Sequence, residues 1–422
     1  MVARGATRSR LAVVAVFGAA VSVGVAGCNT SISSTHNAAG DHAAANQGSH
    51  PADDTTSTGA STNGPPVGSV ARLTTNIKDG AADVTVDTPV TVRASDGKLD
   101  SVVVSAGSTT IPGSFNDNKT VWTASDLLEP GTTYAVRSKA TGAAGKLTHS
   151  SSSFRTQDLS LDQQTYAKIM PVQGQTVGVG MPIMVTFDVP VTDHAAFERH
   201  MTVTSTPSKV GTWHWVNDNE VHWRPRVYWQ SGTHVAVHVD VNGVNAGNGI
   251  YGQMNRDVNF TVGSSVIIKA DLKTDKMGVY LNGKLARTIP ITGGKSGGYE
   301  TRSGINVIEE KYTNIAMDAA TVGISPGSSD YYNIPDVKYA QRITDSGEFL
   351  HAAPWSVYAQ GHQNVSHGCV GMSTANAEWL FGKTHIGDPV EVAGTSRPQD
   401  AGNGWTDWNE SWQQYQAGSA LR

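Results

Sequence analysis

The chain has 422 residues, 38% hydrophobic and 16% charged, with a formal net charge of −5. That length is enough for about two to four domains with sizeable cores. The charge is spread without large blocks, so the basic stripe that nucleic-acid binding requires is missing and no nucleic-acid partner is expected.

Arg4, Arg8 and Arg10 precede an apolar run of small residues from Leu11 to Ala26. This is a charged region followed by an export-type apolar region, too short and too weakly apolar for a membrane span. It ends in Val25-Ala26-Gly27-Cys28, which resembles the lipobox of bacterial lipoproteins. That resemblance implies a signal peptide over 1–27, lipidation of Cys28, and an extracytoplasmic protein anchored in the cell membrane facing the wall. Two acyl chains on one cysteine would make a stable anchor. The alternative is an ordinary signal peptide with an incidental cysteine. Cys28 and Cys369 are the only two cysteines. A lipidated Cys28 leaves Cys369 without a disulfide partner, and an unpaired thiol in an oxidising compartment points to chemistry.

Residues 29–68 contain no Lys, Arg or aromatic residue. Such a segment cannot bury enough apolar area to offset its ordering entropy, so 28–69 is expected to be a disordered tether. From 70 to 157, and again from 158 to 263, short alternating runs are separated by turn residues. Asn116-Asp117-Asn118 recurs as Asn217-Asp218-Asn219, Trp122 as Trp223, Gly131-Thr132 as Gly232-Thr233 and Ala135-Val136 as Ala236-Val237, all at one offset. The repeat predicts two copies of an immunoglobulin-like sandwich. Trp213, Trp215, Trp223 and Trp229 are expected in cores rather than on a wall-binding surface. His214 and His222 are expected to face each other across a hairpin, and two His do not make a zinc site.

From 264 to 393 the texture stays β-rich. Asn282-Gly283 is a type I′ turn signal between two strands. Ala375–Phe381 reads as a helix with Thr374 as its cap. In the tail, 394–422, Trp405, Trp408 and Trp412 have the spacing of one helical face and are expected to pack on the last domain.

The chemistry concentrates in Phe349-Leu350-His351-Ala352-Ala353-Pro354-Trp355 and Ser366-His367-Gly368-Cys369-Val370-Gly371-Met372-Ser373. A cysteine nucleophile needs a base within hydrogen-bond reach and a group that stabilises the oxyanion. His351 and His367 are the candidate bases. Gly368 permits a tight turn that can aim amide N–H groups at a carbonyl oxygen. An adjacent imidazolium would lower the thiol pKa and supply thiolate at neutral pH.

These residues resemble the L,D-transpeptidase (YkuD-like) family, whose signature is a His, a gap, then Ser/Thr-His-Gly-Cys. The arrangement is similar to mycobacterial-type members with two immunoglobulin-like domains before the catalytic domain. The resemblance implies a mostly β protein and an acyl transfer between peptidoglycan stem peptides, with no metal and no cofactor. It implies that Cys369 attacks a tetrapeptide donor, releases D-Ala and leaves a thioester. His351 would activate the thiol, while His367 and Gly368 line the site. The acceptor would be a diaminopimelate side-chain amine, giving a 3→3 cross-link, and carbapenems would be inhibitors. Met317, Tyr332, Ser346, Gly347, Trp355, Ser366 and Gly371 match substrate-contacting positions, with Tyr331 adjacent to Tyr332 in a lid-like segment one residue longer than in relatives. Three positions depart from the pattern. Ala352 stands where Ser is common, Gly371 where Asn or Arg is common, and Val322 where close relatives carry an aromatic. The alternatives are an L,D-carboxypeptidase, a protein-to-wall acyltransferase, or a wall-binding scaffold whose catalysis has decayed.

Overall fold

The computed structural model describes residues 70–422. The expected signal peptide, the tether and Cys28 lie outside the described residues. No helix among those described is long and apolar enough to cross a membrane.

Residues 72–156 form a sandwich. One sheet runs Arg72–Thr75, Thr91–Ser95, Val121–Ala124, Gly113–Phe115, and the other Ala81–Val84, Leu147–Thr156, Thr133–Gly142, Gly97–Ala106, Thr109–Ile111. Its core is built on Leu99, Trp122, Leu128, Tyr134 and Phe154. Residues 167–262 form a second sandwich of two four-stranded sheets. Trp213, Trp215, Trp223 and Trp229 are all buried in its core; the first three sit in strands, and Trp229 in the connection between Glu220–Pro225 and His234–Val239. Each such aromatic or aliphatic burial contributes roughly 1.5–3 kcal/mol before entropy is charged against it.

The sequence repeat has a packing basis. Trp122 and Trp223 lie across hairpins in which Gly113 and Gly211 leave room for the indole; a Cβ at either glycine would overlap the ring. Gly131 and Gly232 both adopt positive φ, at 59° and 80°. The following threonines then donate from Oγ1 to Pro130 O and Gln230 O. The Asn217-Asp218-Asn219 hairpin forms as expected, with His214 opposite His222. Among the described residues no group of three or more His, Cys, Asp or Glu is placed to hold a metal ion.

Residues 266–393 form two sheets. The first runs Lys284–Pro290, Lys276–Leu281, Val266–Asp271, Pro389–Ala393, Gly304–Val307. The second runs Glu310–Asp318, Asn333–Arg342, Phe349–Ala352, Val370–Met372. Asn282 and Gly283 take the positive φ values, 49° and 77°, that a type I′ turn requires. The helix spans Thr374–Phe381, and its cap is Ser373 rather than Thr374. Ser373 keeps an extended backbone and accepts from Asn376 N, so the helix begins one residue earlier than the sequence suggests.

The tail departs most from expectation. Trp405, Trp408 and Trp412 do not share a helix. A 3-10 turn covers Asp407–Asn409, Glu410 is extended, and a separate helix covers Trp412–Ala417 under a Ser411–Gln414 capping box. The tail also packs on two domains rather than one. Trp408 Nε1 donates to Gly180 O of the second sandwich at 2.7 Å, while Asn409 bonds both Ile305 N and Ile305 O in the strand Gly304–Val307 of the last domain. Trp408 and Asn409 are adjacent in the 3-10 turn Asp407–Asn409, so successive side chains of one turn face the two partners.

Glu309 sits at this junction. It is buried and accepts from Trp405 N at 2.9 Å, and burial pushes its carboxyl up to about 7. The folded pKa exceeds the unfolded one, so the native state holds a proton that the unfolded chain releases. Stability from this site therefore falls as pH rises from the ordinary Glu range through about 7. Glu309→Gln keeps the acceptor and removes the titration. Its melting temperature is expected to match wild type at pH 5 and to exceed it at pH 8. Parallel melting curves across that range would contradict the assignment.

Candidate active site

His351 projects from the strand Phe349–Ala352, which pairs in parallel with Val370–Met372 so that His351 is opposite Gly371. The chain reaches that second strand through the Ser366–Cys369 turn, bringing Cys369 to the same end of the sheet. Two residues 18 apart in sequence thus line one cavity of about 320 Å³.

Ser366 ties the turn together. Its Oγ donates to Cys369 O at 2.6 Å and accepts from Gly368 N at 3.1 Å. Gly368 has φ 129°, a conformation that side-chain-bearing residues rarely adopt, and a Cβ there would lie 3.2 Å from Glu348 Cγ. Thr301 Oγ1 donates to Gly368 O at 2.7 Å. The Gly368 amide thus donates to Ser366 Oγ within the turn.

The protonation state also differs from expectation. The Cys369 thiol donates to Gly347 O at 3.6 Å, and burial, with the Glu348 carboxylate adding to it, pushes the thiol up to about 12. Burial holds His351 below the usual imidazole range. The resting pair is therefore a neutral thiol with a neutral imidazole, not the thiolate–imidazolium pair. The reason is desolvation, which disfavours both charged forms. His351 Nδ1 lies 2.8 Å from Ala352 O. A carbonyl can only accept, so Nδ1 carries the hydrogen and Nε2 is left as the basic nitrogen. The backbone carbonyl of Ala352 thus orients the ring without the hydroxyl that this position lacks.

His367 lies at the cavity wall between two tyrosines, with ring centroids 4.8 Å from Tyr299 and 5.1 Å from Tyr332. Burial lowers its pKa, with the nearby Lys295 acting the same way. Met317, Tyr332, Trp355, Ser366 and Gly371 also line the cavity. Met317 packs with Cys369 and Phe349. The Trp355 ring stacks near His351 with centroids 5.8 Å apart. Ser346 and Gly347 do not line the cavity as expected. Ser346 Oγ accepts from Arg302 Nη1 and Asn403 Nδ2, and Gly347 contributes only its carbonyl, behind the thiol. Gly371 is walled in, since a Cβ there would lie 2.9 Å from Ala353 Cβ and 3.2 Å from Thr292 Cγ2. Val322, in the 3-10 turn Ala319–Val322, has its side chain against Gly347.

Thr292, Ile334, Ser356, Tyr358 and Val365 also line the cavity, and the sequence motifs do not point to them. Ser356 and Tyr358 follow Trp355 closely, so proximity along the chain is a signal for them. Thr292 carries no such signal, because only the Thr292–Gly371 bridge brings it there.

Cys369 and His351 share one cavity at the end of a β-sheet, in a chain that also carries two immunoglobulin-like sandwiches, an arrangement suited to a cysteine acyl-transfer domain. Comparison with known proteins agrees. Residues 81–245 match the bacterial Ig domain family and residues 265–392 match the L,D-transpeptidase catalytic domain. The chain is 37% identical over 353 residues to L,D-transpeptidase 2 of Mycobacterium tuberculosis, covering 83% of this chain and 85% of that protein. It is 35% identical over 360 residues to L,D-transpeptidase 5 of Mycobacterium tuberculosis, covering 83% of this chain and 77% of that one. A solved L,D-transpeptidase in complex with imipenem is 37% identical with a TM-score of 0.47, covering 54% of this chain and 98% of that chain. The chain belongs to the L,D-transpeptidase family.

Proposed function

We propose that the protein forms 3→3 cross-links between peptidoglycan stem peptides through a thioester on Cys369. The observation that carries this reading is the shared cavity of Cys369 and His351, with His351 Nε2 as the basic nitrogen. Cys369 Sγ attacks the carbonyl of the third residue of a tetrapeptide donor while His351 Nε2 takes the thiol proton. The peptide C–N bond breaks, that proton passes to the departing D-Ala amine, and a thioester remains. The side-chain amine of a second diaminopimelate then attacks the thioester, gives a proton to His351, and the thiol is restored. The Cys369 amide serves the oxyanion, since the Gly368 amide is already bonded to Ser366. No metal or organic cofactor takes part in these steps.

The lipobox-like end at Cys28 supports a lipid anchor on the outer face of the cell membrane, with 28–69 as the tether, 70–157 and 158–263 as spacing domains, 264–393 as the catalytic domain and 394–422 as the packing tail. Trp355 and Tyr358, both exposed at the cavity mouth, would meet the stem peptide.

Imipenem is the probe of choice, because its ring carbonyl presents the same electrophile as the donor. Incubation of the purified full chain is expected to add one imipenem mass, mapped by peptide analysis to the segment holding Cys369. Muropeptide analysis then separates the outcomes: dimers linked through two third residues support transpeptidation, whereas tripeptides alone mean that water is the acceptor.

A further inference from the structure

Arg302 lies outside the signature and outside the cavity lining, yet its buried guanidinium joins three separate segments. Nη1 donates to Glu348 Oε1 at 2.8 Å and to Ser346 Oγ at 2.9 Å. Nε donates to Asp400 Oδ2, in the tail, at 2.8 Å. The backbone N–H of Arg302 donates to the second Glu348 oxygen at 3.3 Å.

Each partner leads to the nucleophile. Gly347, between Ser346 and Glu348, supplies the carbonyl that accepts the Cys369 thiol. Glu348 packs directly behind Gly368, whose carbonyl is held by Thr301, the neighbour of Arg302. Asn403, three residues beyond Asp400, bonds Ser346 from the other side through both its amide oxygen and its amide nitrogen. One guanidinium therefore fixes the loop on one side of the sulfur and the turn on the other.

We propose that Arg302 is a positioning residue for the reaction of Cys369, setting the Gly347 carbonyl and the Gly368 turn through Ser346 and Glu348, and tying both to the C-terminal tail through Asp400. The inference rests on the reading of Cys369 as nucleophile. Arginine suits the role because its planar fork presents several fixed donors, whereas a lysine ammonium is a point charge on a flexible stem. Displacing a reacting atom by about 1 Å costs on the order of a hundredfold in rate. Loosening this hub is therefore expected to act on the chemical step.

The test follows acylation of the full chain by imipenem with intact-mass spectrometry over a range of concentrations. Wild type is compared with Arg302→Lys, Arg302→Met, Asp400→Ala and Cys369→Ala, and melting temperatures are recorded in parallel. Arg302→Met is expected to lower the rate at saturating imipenem by about tenfold or more, with the half-saturating concentration changed by less than about twofold. Arg302→Lys is expected to be intermediate. Asp400 is exposed, so Asp400→Ala is expected to slow the saturating rate by a few-fold without lowering the melting temperature. A purely structural role would instead lower the melting temperature and the labelled fraction, while the folded fraction reacted at the wild-type rate. Arg302→Lys reacting at the wild-type saturating rate would overturn the proposal, and this holds even when Arg302→Met does not fold. Labelling of Cys369→Ala at the wild-type rate would sink the nucleophile reading instead, so the two failures are distinguishable.

Discussion

Replacing Cys369 by alanine is expected to abolish imipenem acylation and cross-link formation together, a loss on the order of 10⁴-fold or more, as when a covalent nucleophile is removed from an acyl-transfer enzyme. The fold should survive. Cys369 borders a cavity, and the one hydrogen bond its thiol makes is the long one to Gly347 O at 3.6 Å, so alanine gives up little that holds the fold. His351→Gln should approach the same loss in rate while the thiol remains. With the thiol pushed up to about 12, almost no thiolate exists at neutral pH unless a base removes the proton as the bond forms. The two variants separate by alkylation: a small, strong electrophile should still label His351→Gln slowly and should never label Cys369→Ala. Equal acylation of wild type and Cys369→Ala would mean that the sulfur is not the nucleophile.

Asp407→Ala is expected to be the most destabilising single change in the tail, by about 3–5 kcal/mol, the usual cost of breaking a buried ion pair from one side. Asp407 Oδ1 accepts from His222 Nδ1 and from Tyr415 OH, both at 2.9 Å. His222 Nε2 reaches Glu220 Oε1 at 2.8 Å, so both ring nitrogens donate and the ring is an imidazolium. The two carboxylates outweigh the burial cost and raise His222 to about 10. Burial raises the Asp407 carboxyl, but His222 and Tyr415 outweigh it and hold the group below its ordinary range. Without it, His222 keeps only the half-exposed Glu220, and the Tyr415 hydroxyl is stranded. Arg224 stacks over Tyr415 and Trp408 on the same face, so the loss should loosen the tail as a unit.

The pH dependence of this pair has a definite sign. A histidine whose folded pKa is raised stabilises fully below its unfolded pKa, and the contribution is lost as pH rises through the folded value. The His222 contribution is therefore complete below about 6.5 and disappears on approaching about 10. The Asp407 contribution has the opposite edge: it is present above the ordinary carboxylate pKa and is lost as pH falls through its lowered folded value. The gap in melting temperature between wild type and Asp407→Ala should be widest near pH 5–6 and should narrow towards pH 10. A gap that stays constant up to pH 10 would contradict the charged state assigned to His222.

Much of this molecule is legible in its amino-acid sequence. The offset repeat implies two sandwiches because its residues do the same packing work twice: a glycine makes space for a tryptophan, and a positive-φ glycine precedes a strand. Asn282-Gly283 specifies its own turn, because the required φ values are a local property of those residues. The Ser-His-Gly-Cys block and the upstream histidine mark the site, because a strand and the turn entering its neighbour need only short sequence distances to meet. The tail is illegible for the complementary reason. Tryptophan spacing describes a helix only if nothing interrupts it, and the partners that draw Trp408 to Gly180 and Asn409 to Ile305 lie more than a hundred residues away.

The offset repeat indicates the sandwiches, and the resemblance carried by Ser366-His367-Gly368-Cys369 with the upstream His351 indicates the family and where the candidate site lies. The tertiary structure alone decides that thiol and imidazole are both neutral at rest, that Ser366 uses the Gly368 amide, and that Ser346 faces Arg302 instead of the cavity. It also decides that the tail spans two domains through His222, Asp407, Arg302 and Asp400. The physical reason is common to all of these. A residue type and its neighbours fix local backbone conformation, but pKa, hydrogen-bond partner and buried charge depend on which distant segments exclude water from the same point in space.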